Sequence, residues 1–146
     1  MGRVIETTLN RAVFLARHLK RCDIACATTA ILLELGIPVK GTAFDYIERA
    51  VLLIYEDPGR VFTKEIYPMI AASFYPEASR YQVEKVIRAA INEAWKNRDE
   101  GIWRIYFAAS FDGGIKKPSN CEFIFAIVRF LKLWQGCYRG MYEHDE

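Results

Sequence analysis

From Ala78 to Lys96 the chain reads ASRYQVEKVIRAAINEAWK, and its apolar residues Val83, Val86, Ile87, Ala90, Ile91 and Ala94 recur at i, i+3, i+4, i+7, i+8 and i+11. Only an α-helix gathers that spacing on one side, so this segment must bury one stripe against a core. The same period governs the other segments, and runs of β-branched residues alternating with polar ones are missing. With 146 residues, 52% of them hydrophobic, the chain is long enough for one domain with a core and too short to expect two. The expected fold is all-α, a compact bundle of about six to seven helices.

Punctuation divides this pattern. Leu9, Val13, Leu15, Ala16 and Leu19 suggest a first helix inside an N-terminal helical extension over 1–27. A second runs from about Ile24 to Leu35, where Gly36 supplies a C-terminal cap and Pro38 forbids continuation. A third restarts after Gly41, carries Phe44, Ile47, Ala50, Val51 and Ile54 inward, and stops at Asp57-Pro58-Gly59. TKEIYPMIAASF follows, with Thr63 as the expected N-cap, an inner face of Ile66, Met69, Ile70, Ala72 and Phe74, and Pro68 either starting or kinking the helix. After the YPEAS turn and the long helix come a short aromatic helix, IWRIYFAAS, and a Gly113-Gly114 loop. The last helix, SNCEFIFAIVRFLKLW, opens with Ser119 and Glu122 spaced as a capping box, and residues 135–146 are expected to form a frayed tail.

Composition excludes several classes. No apolar run reaches the eighteen or so residues that span a bilayer, and no targeting segment stands out, so the expected location is the cytoplasm, with no membrane partner. The four cysteines form no Cys-x-x-Cys pair. His18, Cys22 and Cys26 share a helical spacing but lack a nearby fourth ligand, so no metal site is expected and the thiols are read as buried or half-buried. The only histidines are His18 and His144, and no catalytic triad, paired carboxylates or Gly-rich phosphate loop appears. Neither catalysis nor a cofactor is expected. Tyr67, Tyr75 and Tyr81, which flank the turn, are read as packing residues with a polar tip.

The net charge is only +2, but cations cluster. Arg80, Lys85, Arg88, Lys96 and Arg98 outweigh Glu84 and Glu93, and Lys116, Lys117, Arg129, Lys132 and Arg139 outweigh Glu122. On the long helix, Tyr81, Lys85, Arg88 and Asn92 line the face opposite the apolar stripe, with Glu84 beside them. Such groups pair with base edges and phosphates in a major groove. A short helix, a tight turn and a longer helix with cations near its start is the order of a helix-turn-helix, so double-stranded DNA is the expected partner.

Five segments carry a family resemblance: LLELGIPVKG, YIERAVLLIYEDP, TKEIYPMIAASF, VEKVIRAAINEAW and KPSNCEFIFAIV. In this order the chain resembles the C-terminal DNA-binding (effector) domains of stage zero sporulation protein A, a response regulator that initiates endospore formation. The likeness spans 28–134. It implies an all-helical, sequence-specific transcription regulator that pairs head to tail on operator boxes and contacts the sigma subunit of RNA polymerase. By position, Glu84, Lys85 and Arg88 fall where that family contacts bases, within a recognition helix over about 79–96. Lys116 and Lys117 match a phosphate-holding segment, and Arg80 and Lys96 are further candidates for phosphate contact. Asn97, Arg98, Asp99, Glu100 and Arg104 overlie the polymerase-contact region.

Several positions depart from the family pattern. Lys85 stands where arginine is usual, and lysine cannot form the same fork to guanine, so a different or weaker base preference is expected. Ala89 replaces a common histidine, and YPEASRYQ reads as a turn about two residues longer than the family's. Residues 1–27 are too short for the family's receiver domain, so a switch other than phosphorylation in cis is expected. The alternative function is a protein-interaction module that keeps the fold without operator binding, supported by the low net charge and the aromatics Trp103, Tyr106, Phe107 and Phe111.

Overall fold

The computed structural model describes residues 24–107 and 114–143, with side chains through 137. The helix expected near Leu9–Leu19, with His18 and Cys22, lies outside the described residues, as do Phe111 and Gly113. Within them the protein is all-helical: α1 (Ile24–Leu35), α2 (Ala43–Glu56), α3 (Tyr67–Ser73), α4 (Arg80–Lys96), α5 (Glu100–Phe107) and α6 (Asn120–Glu143), with a π-helical turn, Phe62–Ile66, leading into α3. None of these helices is long and apolar enough to cross a membrane.

The expected punctuation acts where glycine and proline require it. Gly36 ends α1 at φ +84°, a left-handed conformation that costs glycine little, and Ile37 N–H donates back to the Leu32 carbonyl at 3.1 Å. At the end of α2, Asp57 Oδ1 accepts the Gly59 N–H at 3.1 Å, turning the chain into the next segment.

Before α3 the outcome differs from expectation. Thr63 does not cap; the chain is already helical at Phe62, and the Val61 N–H donates instead to Glu65 Oε1 at 3.2 Å. The wider π turn rotates the following residues relative to a regular helix. Tyr67 and Ala71, each one residue after Ile66 and Ile70, join them in the core, while Ala72, expected inside, lies about 200° round α3 from Ile70 and is exposed. Pro68 starts the regular helix, where its missing N–H costs nothing.

α2 packs against α1, α4 and α6, so the core lies along its inner stripe, with Ile47, Ala50, Val51 and Ile54 fully or almost fully enclosed. Burying each large aliphatic side chain contributes about 1.5–3 kcal/mol. α4 delivers the stripe read from its period: Val83, Ile87, Ala90, Ile91 and Ala94 are buried, and Val86 packs at the margin. Trp103 of α5 is wholly buried among Trp95, Phe107 and Phe123, and its Nε1–H donates to the Leu35 carbonyl at 3.1 Å, tying α5 to the end of α1. Trp103 and Tyr106 thus serve the core, with Phe107 packed against it, rather than forming an interaction surface.

Three further expectations are corrected. α6 continues past Trp134 to Glu143, so most of the tail expected to fray is helix. No proline stops it, Gly136 and Gly140 weaken it by only about 1 kcal/mol each, and Cys137 still packs against the core. Cys26 is exposed rather than buried or half-buried, because α1 turns its opposite side to α2. Of the three tyrosines only Tyr67 is packed; Tyr75 is 98% and Tyr81 65% exposed, because the turn carries the first outward and the phase of α4 the second.

The capping box of α6 is present: Ser119 N–H donates to Glu122 Oε1 at 3.1 Å and Glu122 N–H to Ser119 Oγ at 3.2 Å. The bond from the Ser119 backbone, helped by its hydroxyl, holds the Glu122 carboxyl below the usual carboxylate range. Its folded pKa lies below the unfolded one, so its stabilisation is full above the unfolded value and is lost as pH falls through the folded one. Ser119→Ala is expected to cost about 1 kcal/mol in urea denaturation at pH 7. The stability gap between the parent and Glu122→Ala is expected to close as the pH is taken down through the carboxylate range.

Candidate nucleic-acid interface

α3 and α4 pack against each other across the turn 74–79 and form the helix-turn-helix pair. The turn ends where the helix expected over about 79–96 begins. Ser79 is the N-cap of α4: the Gln82 N–H donates to Ser79 Oγ at 3.2 Å, and the Ser79 N–H donates to Gln82 Oε1 at 2.9 Å. Arg80, Tyr81 and Gln82 therefore form the first turn of the helix. The Ser-x-x-Gln spacing of Ser79 and Gln82 is the sequence signal that marks this start.

Core packing fixes the inner side of α4 and leaves Tyr81, Lys85, Arg88 and Ala89 exposed, with Asn92 half-buried. Arg88 Nη1 donates to Glu84 Oε1 at 3.0 Å, an i, i+4 pair with both side chains partly exposed. Such a pair contributes about 0.3–0.5 kcal/mol and is readily exchanged for a better anion. At the start of the helix Arg80 Nη2 donates to the Tyr81 hydroxyl at 2.8 Å, and its guanidinium carbon lies 4.9 Å from the ring centre.

Arg88 meets the segment before α6. A cleft of about 410 Å³ is lined by Tyr67, Glu84, Arg88, Ile91, Asn92 and 117–122. Lys117 shares this cleft with Glu84 and Arg88, and Lys116 lies close enough to Glu122 to favour its ionised form. Two candidate readers, Glu84 and Arg88, and one phosphate candidate, Lys117, are thus brought to one cleft, while Lys85 stands exposed on the outer side of α4. Arg80 and Lys96 stand apart at opposite ends of α4, about 24 Å along its axis, so the two cannot grip the same phosphate.

The residue that fixes this arrangement is Asn120, which the sequence did not single out. It is 9% exposed at the start of α6; Nδ2 donates to the Glu84 carbonyl at 3.1 Å and to the Tyr67 hydroxyl at 3.2 Å. One amide therefore ties α3, α4 and α6 together. Nothing in the sequence signals these partners, which lie 36 and 53 residues away. Burial raises the pKa of the Tyr67 hydroxyl, partly offset by the Asn120 bond, so the phenol stays protonated. Burial also raises that of the Cys121 thiol, which keeps it protonated on the cleft wall.

The candidate polymerase-contact residues surround the α4–α5 turn. Asp99 Oδ1 accepts the Ile102 N–H at 3.2 Å and caps α5. Arg98 is committed inward: its guanidinium lies 3.6 Å from the Trp95 ring centre, Nη1 donates to the Trp95 carbonyl at 2.8 Å, and Nε donates to Glu100 Oε2 at 2.8 Å. Glu100 also pairs with Arg104 at 3.6 Å. Asn97, Asp99, Glu100 and Arg104 remain partly or fully exposed.

Truncating Asn120 leaves a carbonyl and a phenol without their shared donor, so Asn120→Ala is expected to lower unfolding free energy by about 1–3 kcal/mol. Tyr67→Phe, which removes only one of the two acceptors, is expected to cost less by the same urea titration.

The family described as sporulation initiation factor Spo0A C terminal matches residues 28–131. That stretch runs from α1 into α6 and contains the helix-turn-helix, the cleft and the aromatic cluster under α5. The chain belongs to the sporulation initiation factor Spo0A C-terminal family.

Proposed function

We propose that this chain is a sequence-specific DNA-binding transcription regulator of the sporulation-initiation type, with α4 seated in the major groove. The observation that carries this reading is that Glu84 and Arg88 of α4 and Lys117 of the segment before α6 line one cleft. A recognition helix enters by its N-terminal residues, and Glu84, Lys85 and Arg88 lie in its first half. Lys85 and Arg88 suit guanine acceptors, and Glu84 suits the cytosine amino group once Arg88 has turned to the duplex. Lys116, Lys117 and Arg80 are assigned to phosphates; Lys96, at the far end of the helix, is assigned to the flanking backbone.

Two cationic readers discriminate modestly, about 1–3 kcal/mol for each good contact, so two copies on neighbouring sites are part of the proposal. Asn97, Asp99, Glu100 and Arg104 form the proposed surface for the polymerase sigma subunit, and Arg98 acts as the clamp that shapes it. The Glu84–Arg88 pair, which partly neutralises the reading side, is what favours the second reading, a protein-binding module on the same scaffold.

Fluorescence anisotropy against a duplex carrying the family's operator box and against a randomised pool, at two salt concentrations, separates these readings. Operator preference that weakens steeply with salt is expected, with a double-logarithmic slope of about −0.9 per phosphate neutralised. Lys85→Ala and Arg88→Ala are each expected to cost about 1–3 kcal/mol on the operator and little on the pool. Lys117→Ala is expected to weaken both duplexes alike and to make the slope shallower by about one. Equal or absent binding at both salts would favour the protein-binding module.

A further inference from the structure

Tyr81 is an aromatic residue with no packing role: it is 65% exposed, stands in the first turn of α4, and shares the outer stripe with Lys85, Arg88 and Asn92. Its hydroxyl is already engaged, because Arg80 Nη2 donates to it at 2.8 Å, and the guanidinium lies 4.9 Å from the ring centre. That contact restrains the side chain before any ligand arrives. What Tyr81 has left to offer is the apolar edge of its ring.

Resting on the DNA-binding reading above, we infer that Tyr81 is a base-selecting residue that favours thymine. In the major groove the thymine C5 methyl is the one apolar feature by which a base pair is told apart, and a ring edge is a group that packs against it. Tyr81 precedes Lys85 by four residues, about 6 Å along the helix, and successive base pairs rise about 3.4 Å. The thymine therefore lies about two base pairs outside the base met by Lys85. Arg80, held beside the phenol, is left to meet the phosphate flanking that position.

Enrichment of randomised duplexes by the parent protein, Tyr81→Ala and Tyr81→Phe tests this, with unfolding midpoints checked to match. The parent is expected to select thymine at one position outside the Lys85 site. Tyr81→Ala is expected to lose that selection about fivefold, the lower end of what a mismatched base pair costs, while keeping its inner preferences. Tyr81→Phe is expected to retain it, because the ring remains. Unchanged selection by Tyr81→Ala, or loss of selection in Tyr81→Phe, would overturn the thymine assignment and leave the DNA-binding reading standing. No enrichment by the parent would overturn both.

Discussion

The arrangement of the candidate interface depends on one buried amide. Asn120 donates to the Glu84 carbonyl and to the Tyr67 hydroxyl, so the start of α6, the second turn of α4 and the start of α3 are held by a single side chain. Hydrophobic packing alone is non-directional and would tolerate small slides of one helix past another. A buried donor with two fixed acceptors does not, because each slide leaves a polar group unpaired. Lys117 and Arg88 owe their proximity to that constraint, since one lies three residues before Asn120 and the other one helical turn after Glu84.

A second tie works at the other side of the molecule. Trp103 fills the space between α5, α4 and α6 and bonds through its indole N–H to the last carbonyl of α1. That carbonyl, near a helix C-terminus, would otherwise lack a partner. Arg98 closes the same corner from outside by stacking on Trp95, which fixes the α4–α5 turn and leaves its neighbours to face solvent. The two ties divide the labour: Asn120 sets the side that carries the cations, and Trp103 sets the side that carries Glu100 and Arg104.

Much of this was legible before any coordinates. Helical period assigned every buried position of α4, and Gly36, Gly41 and Asp57-Pro58-Gly59 marked ends that the structure reproduces, because these signals are local and act through the backbone. Signals that need a partner were not legible. Asn120 looks like any polar residue near a helix start, and its acceptors lie far away in the chain. Ala72 lies two residues past Ile70 in the same regular helix, about 200° round it, so the helical period itself turns it outward, whereas Arg98 reads as a surface cation because its stacking partner is visible only in three dimensions. Tyr75 and Tyr81 show the reverse error, in which an aromatic residue is assumed to be inside when the phase of its own helix, or the turn, points it out.

The capping box at Ser79 and Gln82 has a consequence for thermodynamics. The first turn of α4 is closed by side-chain bonds in the isolated chain, so whatever this helix docks against meets a surface that is already ordered. The entropy of freezing that turn is spent during folding rather than at the encounter. The heat-capacity change on association should then scale with the water stripped from the contact alone, without the larger contribution that coupled folding adds.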